Sequence, residues 1–215
     1  MDIYSLGHAS FKIRGKGATI VTDPYNSDMV GLKFPKNIGA DVVTVSHDHS
    51  DHNAVSNIGG QAFVVRGPGE YEIKGVHVRG ISSFHDGEGG AKRGKNTMYH
   101  MEIDNLRLAH LGDLGHILSS GDVEQLGEVD ILCIPVGGIF TIDAKAAAQI
   151  VHDIEPAIVI PMHYQRAGLN PQAFGDLSSA SDFVKEMGKE GIVAQPKLSI
   201  TKDKLPEELQ VVVLE

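Results

Sequence analysis

The chain is 215 residues long, 41% hydrophobic and 22% charged, with a formal net charge of −9 at pH 7. This length suits one domain spanning 1–215 with a sizeable core; no run approaches the roughly 18 apolar residues that cross a bilayer, and the N-terminus lacks a basic region followed by an apolar stretch. The acidic balance argues against a general nucleic-acid surface, which needs clustered Lys and Arg, and the single Cys133 excludes an intramolecular disulfide, so the expectation is a cytoplasmic protein with neither membrane nor nucleic acid as partner.

Asp2–Leu6 and Ser10–Ile13 read as strands around Gly7-His8-Ala9. Gly15-Lys16-Gly17 is a hairpin turn, and Ala18–Thr22 is a strand ending at Asp23-Pro24. His8 either lines a site or hydrogen-bonds within its tight turn. Asp23 caps a turn on local sequence alone, or orients a metal-binding histidine through the free ring nitrogen. Residues 25–40 carry no clear period and read as a loop. The β-branched run Val42–Val45 is a buried strand, and Asn53–Ile58 reads as a short helix. Ala62–Val65, Glu70–Ile73 and Val76–Ile81 follow as strands, the last running on to His85. A Gly-rich, locally basic loop spans 87–96, whose Lys92, Arg93 and Lys95 would favour an anionic substrate if the loop is functional. Thr97–Ile103 and Leu106–His110 are a strand pair. Then come a helix from Leu118, a strand Val129–Val136 containing Cys133 as a small core residue, a helix Ala144–Ile154 capped by Asp143, and a strand Ala157–Pro161. Ser178–Glu190 reads as a helix, and Lys197–Thr201 and Gln210–Leu214 as closing strands. This order predicts a four-layer α/β (α+β) sandwich, with two mixed sheets inside and helices outside.

Chemistry concentrates in His47-Asp48-His49-Ser50-Asp51-His52, directly after the strand Val42–Val45. In an extended backbone His47 and His49 project to one side. Imidazole nitrogens and carboxylate oxygens are ligands for Zn²⁺ and related divalent ions. Other strands also end in such groups: His85, Asp113 and His163. Two sets can be drawn from them. His47, His49 and His85 would make one three-imidazole site; Asp51, His52 and His163 would make a second, and Asp113 could span both. Hydroxide shared by two such ions is a ready nucleophile near neutral pH.

These residues carry a resemblance. His47-Asp48-His49-Ser50-Asp51-His52 resembles the H-x-H-x-D-H signature of the metallo-β-lactamase superfamily, and Gly112-Asp113 and Pro161-Met162-His163-Tyr164 resemble its later metal motifs. Gly7-His8-Ala9-Ser10, Asp23-Pro24 and Ile134–Gly138 are further similar to a branch of small Zn-dependent hydrolases that includes ascorbate-6-phosphate lactonase. The resemblance implies an αββα sandwich and a mono- or dinuclear site at one edge, with Asp23 beside the metal-binding loop. It implies His47, His49 and His85 at a first metal, Asp51, His52 and His163 at a second, and Asp113 as the bridge. Asp51 and Asp113 would also serve catalysis. His110 competes with His85, but lies only three residues before Asp113 on the same strand. His8 and His116 are weaker additional candidates. Zinc, as one or two ions, is preferred, with manganese and iron open.

The function expected is hydrolysis by a zinc-bound hydroxide of a small anionic ester, lactone or phosphodiester. The alternatives are a non-catalytic metal-binding scaffold retaining the fold and a nuclease-type member. Self-association into a homo-oligomer is open.

Overall fold

Two patterns mark where the chain extends: alternation of buried and exposed residues, as in Val76–Phe84, and short wholly buried runs, as in Val42–Val45, Ile131–Pro135 and Ile158–Met162. The computed structural model describes all residues 1–215. Strands β1 (Asp2–Gly7), β2 (Ser10–Arg14), β3 (Thr19–Thr22), β4 (Ile38–Gly39), β5 (Val42–Val45), β6 (Ile58–Gly59) and β7 (Phe63–Arg66) come first, with a short helix α1 (Ser27–Val30) between β3 and β4. Strands β8 (Gly69–Ile73), β9 (Val76–Phe84), β10 (Lys95–Ile103) and β11 (Leu106–His110) follow. The chain then alternates α2 (Ser120–Leu126), β12 (Ile131–Pro135), α3 (Ala144–Ile154) and β13 (Ile158–Met162). It closes with α4 (Pro171–Phe174), α5 (Ala180–Glu186), β14 (Leu198–Ser199) and β15 (Gln210–Val211).

One sheet has the order β14-β1-β2-β3-β5-β7 and the other β15-β13-β12-β11-β10-β9-β8, while β4 and β6 pair separately. The sheets pack face to face. Ile3, Phe11, Ile13, Ile20 and Val42 from the first meet Tyr99, Met101, Leu108, Ile131 and Ile160 from the second. Cys133 lies in this layer, fully buried, where loss of water pushes its thiol pKa up. On the outer face of the second sheet, Leu132, Ile134 and Val159 meet Ala147, Ile150 and Val151 of α3 and Phe183 of α5. On the outer face of the first, Val21, Val43 and Val45 meet Val30 of α1 and Phe174 of α4. The result is the expected four-layer αββα arrangement. No helix is long and apolar enough to cross a membrane.

Three expectations differ in detail. Residues 25–40 are not wholly irregular: Asn26 caps α1 by accepting from the N–H groups of Asp28 and Met29, a local signal too short to show as a period. Asn53–Ile58 holds only a single 3₁₀ turn, Val55–Asn57. The helix expected to reach Glu190 stops at Glu186, because Met187 is its C-cap and Gly188 takes φ +64°.

A buried ion cluster ties the C-terminal segment to the second sheet. Asp130, 5% exposed, accepts from the Arg107 backbone N–H (2.9 Å) and guanidinium (2.8 Å) and from Lys202 Nζ (2.8 Å). Burial pushes its carboxyl up, but Arg107 and Lys202 outweigh that and hold it at about 2, below the ordinary 3.8. A depressed carboxyl contributes stability above its ordinary value and loses it as pH falls through the depressed one. Asp130→Asn should therefore lower stability at pH 7 by about 2 kcal/mol and flatten the acid limb between about pH 4 and pH 2. Urea denaturation at pH 2–7 reads both effects.

Candidate metal centre

The strand ends converge on one edge of the sandwich. His47 to His52 follow β5, the middle of the first sheet's parallel portion, while His85 follows β9, Asp113 follows β11 and His163 follows β13. The edge is knit by cross-sheet hydrogen bonds: Thr97 N–H donates to Ser46 O (2.9 Å), and Tyr99 OH to Val45 O (2.8 Å).

Asp113 Oδ2 sits at the centre. It lies 3.2 Å from His52 Nε2, 3.2 Å from His163 Nε2, 3.3 Å from His85 Nε2 and 3.8 Å from His47 Nε2. Its backbone N–H donates to Asn96 Oδ1 (3.0 Å), and Asn96 donates to Leu111 O (2.9 Å). Gly112 before it takes φ +57°, and a Cβ there would collide with the side chains of Asn96 and Ser46, so only glycine lets Asp113 come this close.

Donor atoms gather in three groups, each within 4.8 Å: His47, His49 and His85; His8, Asp51, His52 and His163; and His47, His52 and Asp113. All seven residues singled out from the sequence thus meet at one place, and His8 meets them. His8 Nε2 is 3.2 Å from Asp51 Oδ2, its ring centroid is 4.0 Å from that of His163, and its carbonyl accepts from His163 N–H (3.1 Å). His110 does not join: its Nε2 bonds Ala9 O (2.8 Å) and its Nδ1 accepts from Gly112 N–H (3.2 Å). His116 is also outside, its ring nitrogens occupied by Phe84 N–H and Ile117 O.

Asp23 lies beneath. Fully buried, it accepts from Ser46 N–H (2.8 Å), Ser46 OH (2.5 Å) and His52 Nδ1 (2.9 Å), while Ser46 Oγ is 3.0 Å from His47 Nδ1. One carboxylate thus fixes one imidazole of each group, His52 directly and His47 through Ser46. The turn-cap reading of Asp23 gives way to this placement. His8, Asp23 and His163 all have positive φ (54°, 39° and 54°), a conformation that side-chain-bearing residues adopt at a cost of about 1 kcal/mol each. Asn96, Ser46 and His8 were not resolvable from local sequence.

Burial keeps His47 and His8 neutral, lowering their pKa to about 3 and about 4, and also lowers that of His85. Neutral imidazole is the form that binds metals. At His52 burial opposes charge, but Asp113 and Asp51 outweigh it and raise its pKa: the field there favours a cation. Burial would likewise raise Asp113 and Asp51; imidazoles, His163 foremost at Asp113 and His52 at Asp51, hold both below the usual carboxylate range. Nε2 of His47, His52 and His163 and Oδ1 of Asp113 are buried without a hydrogen-bond partner. Orphaned atoms of this kind are rare in interiors. Nitrogen and oxygen donors converging in this way fit a divalent cation.

A family model described as a β-lactamase superfamily domain matches residues 2–163. The chain belongs to the metallo-β-lactamase superfamily. A crystal structure from Thermotoga maritima, described as a candidate Zn-dependent hydrolase of that superfamily, aligns at TM-score 0.82 and 36% identity, over 100% of this chain and 98% of that one. Among sequence relatives, a protein of Thermoplasma acidophilum named a metal-dependent hydrolase is 27% identical, over 80% of this chain and 88% of its own length. One of the same name from Methanopyrus kandleri is 28% identical over 87% and 93%. A metallo hydrolase from Ignicoccus hospitalis shares the superfamily fold at TM-score 0.70 and 19% identity, covering 93% of this chain and 99% of that one.

Proposed function

We propose that this metal-dependent hydrolase of the metallo-β-lactamase superfamily holds two divalent cations, zinc by preference, and cleaves a small anionic ester, lactone or phosphodiester. In this reading His47, His49 and His85 hold one ion, Asp51, His52 and His163 the other, and Asp113 is shared. The observation that carries it is the convergence of these side chains with buried, unpartnered nitrogen and oxygen atoms aimed together. Bound divalent cations supply Lewis acidity toward the scissile oxygen and lower the pKa of water towards neutrality.

The chain's own groups do the rest. His8 bonds Asp51 Oδ2, the oxygen that also faces His52 and His163, and so fixes how that carboxylate is presented to them. Asp51 and Asp113 both line a cavity of about 570 Å³, where either can take a proton from an attacking water and return it to the leaving oxygen. Phe140 and Phe174, also lining it, keep bulk water from one side.

Elemental analysis of the purified chain should give about two ions per chain. Chelation should abolish turnover of 4-nitrophenyl esters, lactones or bis(4-nitrophenyl) phosphate, and Zn²⁺, Mn²⁺ or Fe²⁺ added singly should show which restores it. A metal-loaded chain inert towards all three classes would favour the scaffold alternative. Salt-dependent oligonucleotide binding would favour the nuclease alternative.

A further inference from the structure

The connection from β9 to β10 is wrapped around one carboxylate. Asp86, 4% exposed, accepts the backbone N–H groups of Glu88 (2.8 Å) and Gly90 (2.9 Å) on Oδ1, and of Lys92 (2.9 Å) and Arg93 (2.7 Å) on Oδ2. Four donors on a buried carboxylate fix the loop, so this Gly-rich segment holds the Arg93 backbone in place.

The Arg93 guanidinium lies 5.6 Å from the Phe140 ring centroid, and one of its N–H groups reaches Ile139 O at 3.2 Å. Of its five donors, the rest are uncommitted within the chain. Three basic residues were expected to act together here, and the structure separates them. Lys92 spends its charge on Glu88 in its own loop, whereas Arg93 and Lys95 enter no ion pair.

Two hollows meet at Arg93. One is the 570 Å³ cavity, with Met29, Phe140 and Phe174 as apolar wall and His49, Asp51 and Asp113 among its polar residues. The other, about 730 Å³, also reaches His47 and His49 and is lined by Arg66, Arg93 and Lys95. Asp48 lines both, but it lies 3.8 Å from Arg66 and accepts from Asn53, so Arg66 is the compensated cation. In a chain with net charge −9, two unpaired cations beside the histidine cluster form a local anion trap.

We propose that Arg93, with Lys95 in the same hollow, is an anion-binding subsite: the substrate carries a carboxylate or phosphate group separate from the bond that is cut, and an apolar part that faces Phe140 and Phe174. The subsite rests on the hydrolase reading above for its purpose, not for its existence. Arg93 acts on specificity and takes no part in bond cleavage.

The test is calorimetric binding of benzylphosphonate, phenylacetate and neutral benzyl alcohol to the metal-loaded protein, with metal content measured on the same samples. Arg93→Ala should weaken the better anion at least about tenfold, Arg93→Lys about threefold and Lys95→Ala by an intermediate factor, with added salt narrowing the differences. Benzyl alcohol affinity should change far less, which a merely structural role for Arg93 would not produce. Preference for the phosphonate assigns a phosphate group; preference for phenylacetate assigns a carboxylate. Anion affinities of Arg93→Ala within twofold of wild type overturn the subsite. A chain that holds no divalent ion but loses anion binding with Arg93→Ala supports the subsite and sinks the hydrolase reading. A metal-loaded, hydrolytic chain indifferent to Arg93 sinks the subsite alone.

Discussion

Asp113→Ala should lower kcat/KM by about 10³-fold or more and reduce bound metal by about half, in a chain that still folds. Asp113 is the one carboxylate that approaches imidazoles of both histidine groups: Oδ2 comes within 3.2–3.8 Å of His52, His163, His85 and His47. Truncation removes the negative charge that draws the two groups together. It leaves the hydrogen bond from the residue's own backbone N–H to Asn96, which alanine keeps. Loss of function would therefore arise from chemistry at the site, not from unfolding. Steady-state kinetics, elemental analysis after dialysis and far-UV circular dichroism on the same preparation separate these causes. Unchanged metal content in Asp113→Ala would remove the residue from any bridging role and leave two independent sites.

Asp23→Ala should act twice. Its fully buried carboxylate accepts from Ser46 N–H, Ser46 OH and His52 Nδ1, so truncation leaves three buried donors to find new partners. That costs about 3 kcal/mol or more of folding stability. It also frees the imidazole of His52 directly and that of His47 through Ser46, and loss of such an outer partner typically weakens metal binding about 10–100-fold. Asp23→Asn keeps the volume and one acceptor oxygen, so it should recover part of the stability and less of the affinity. Denaturation of the metal-free chain and competitive titration against a chromophoric chelator read the two effects separately. An Asp23→Ala chain with wild-type metal affinity would show that His52 and His47 are positioned without it.

The histidine cluster was legible because its information is local: six consecutive residues, rich in a scarce side chain, after a short β-branched run that reads as a buried strand. His85, Asp113 and His163 were legible for a related reason, each closing an apolar strand. His8 was not, because its proximity to Asp51 depends on how the β1–β2 turn lies against the loop after β5, and a Gly-His turn has many uses. Asp23 was legible as the partner of a metal-binding histidine only through the resemblance; on local sequence it read as a turn cap, and its φ of +39° is an angle that no side-chain pattern announces. Asn96 read as the last residue of the Gly-rich loop, yet it is the residue that suspends Asp113. The strands could be read from two-residue alternation or from short buried apolar runs, whereas the helices α1 and α4 could not be read at all. Four-residue helices have no period; they exist because Asn26 and Asn170 cap them and, in α4, because Pro171 supplies a fixed φ at the first position. The loop at 87–96 was read as basic, but which of its cations face the cavity was decided by the Asp86 carboxylate and by Glu88.

The candidate ligands come from both slabs of the sandwich: His8, His47, His49, Asp51 and His52 from the first, and His85, Asp113 and His163 from the second. A cation held among them is a clasp across the seam. Its binding energy resists prising the slabs apart, and by mass action the fully loaded molecule tolerates more heat than the empty one. The supply of metal would then govern how long the protein survives as well as how fast it works.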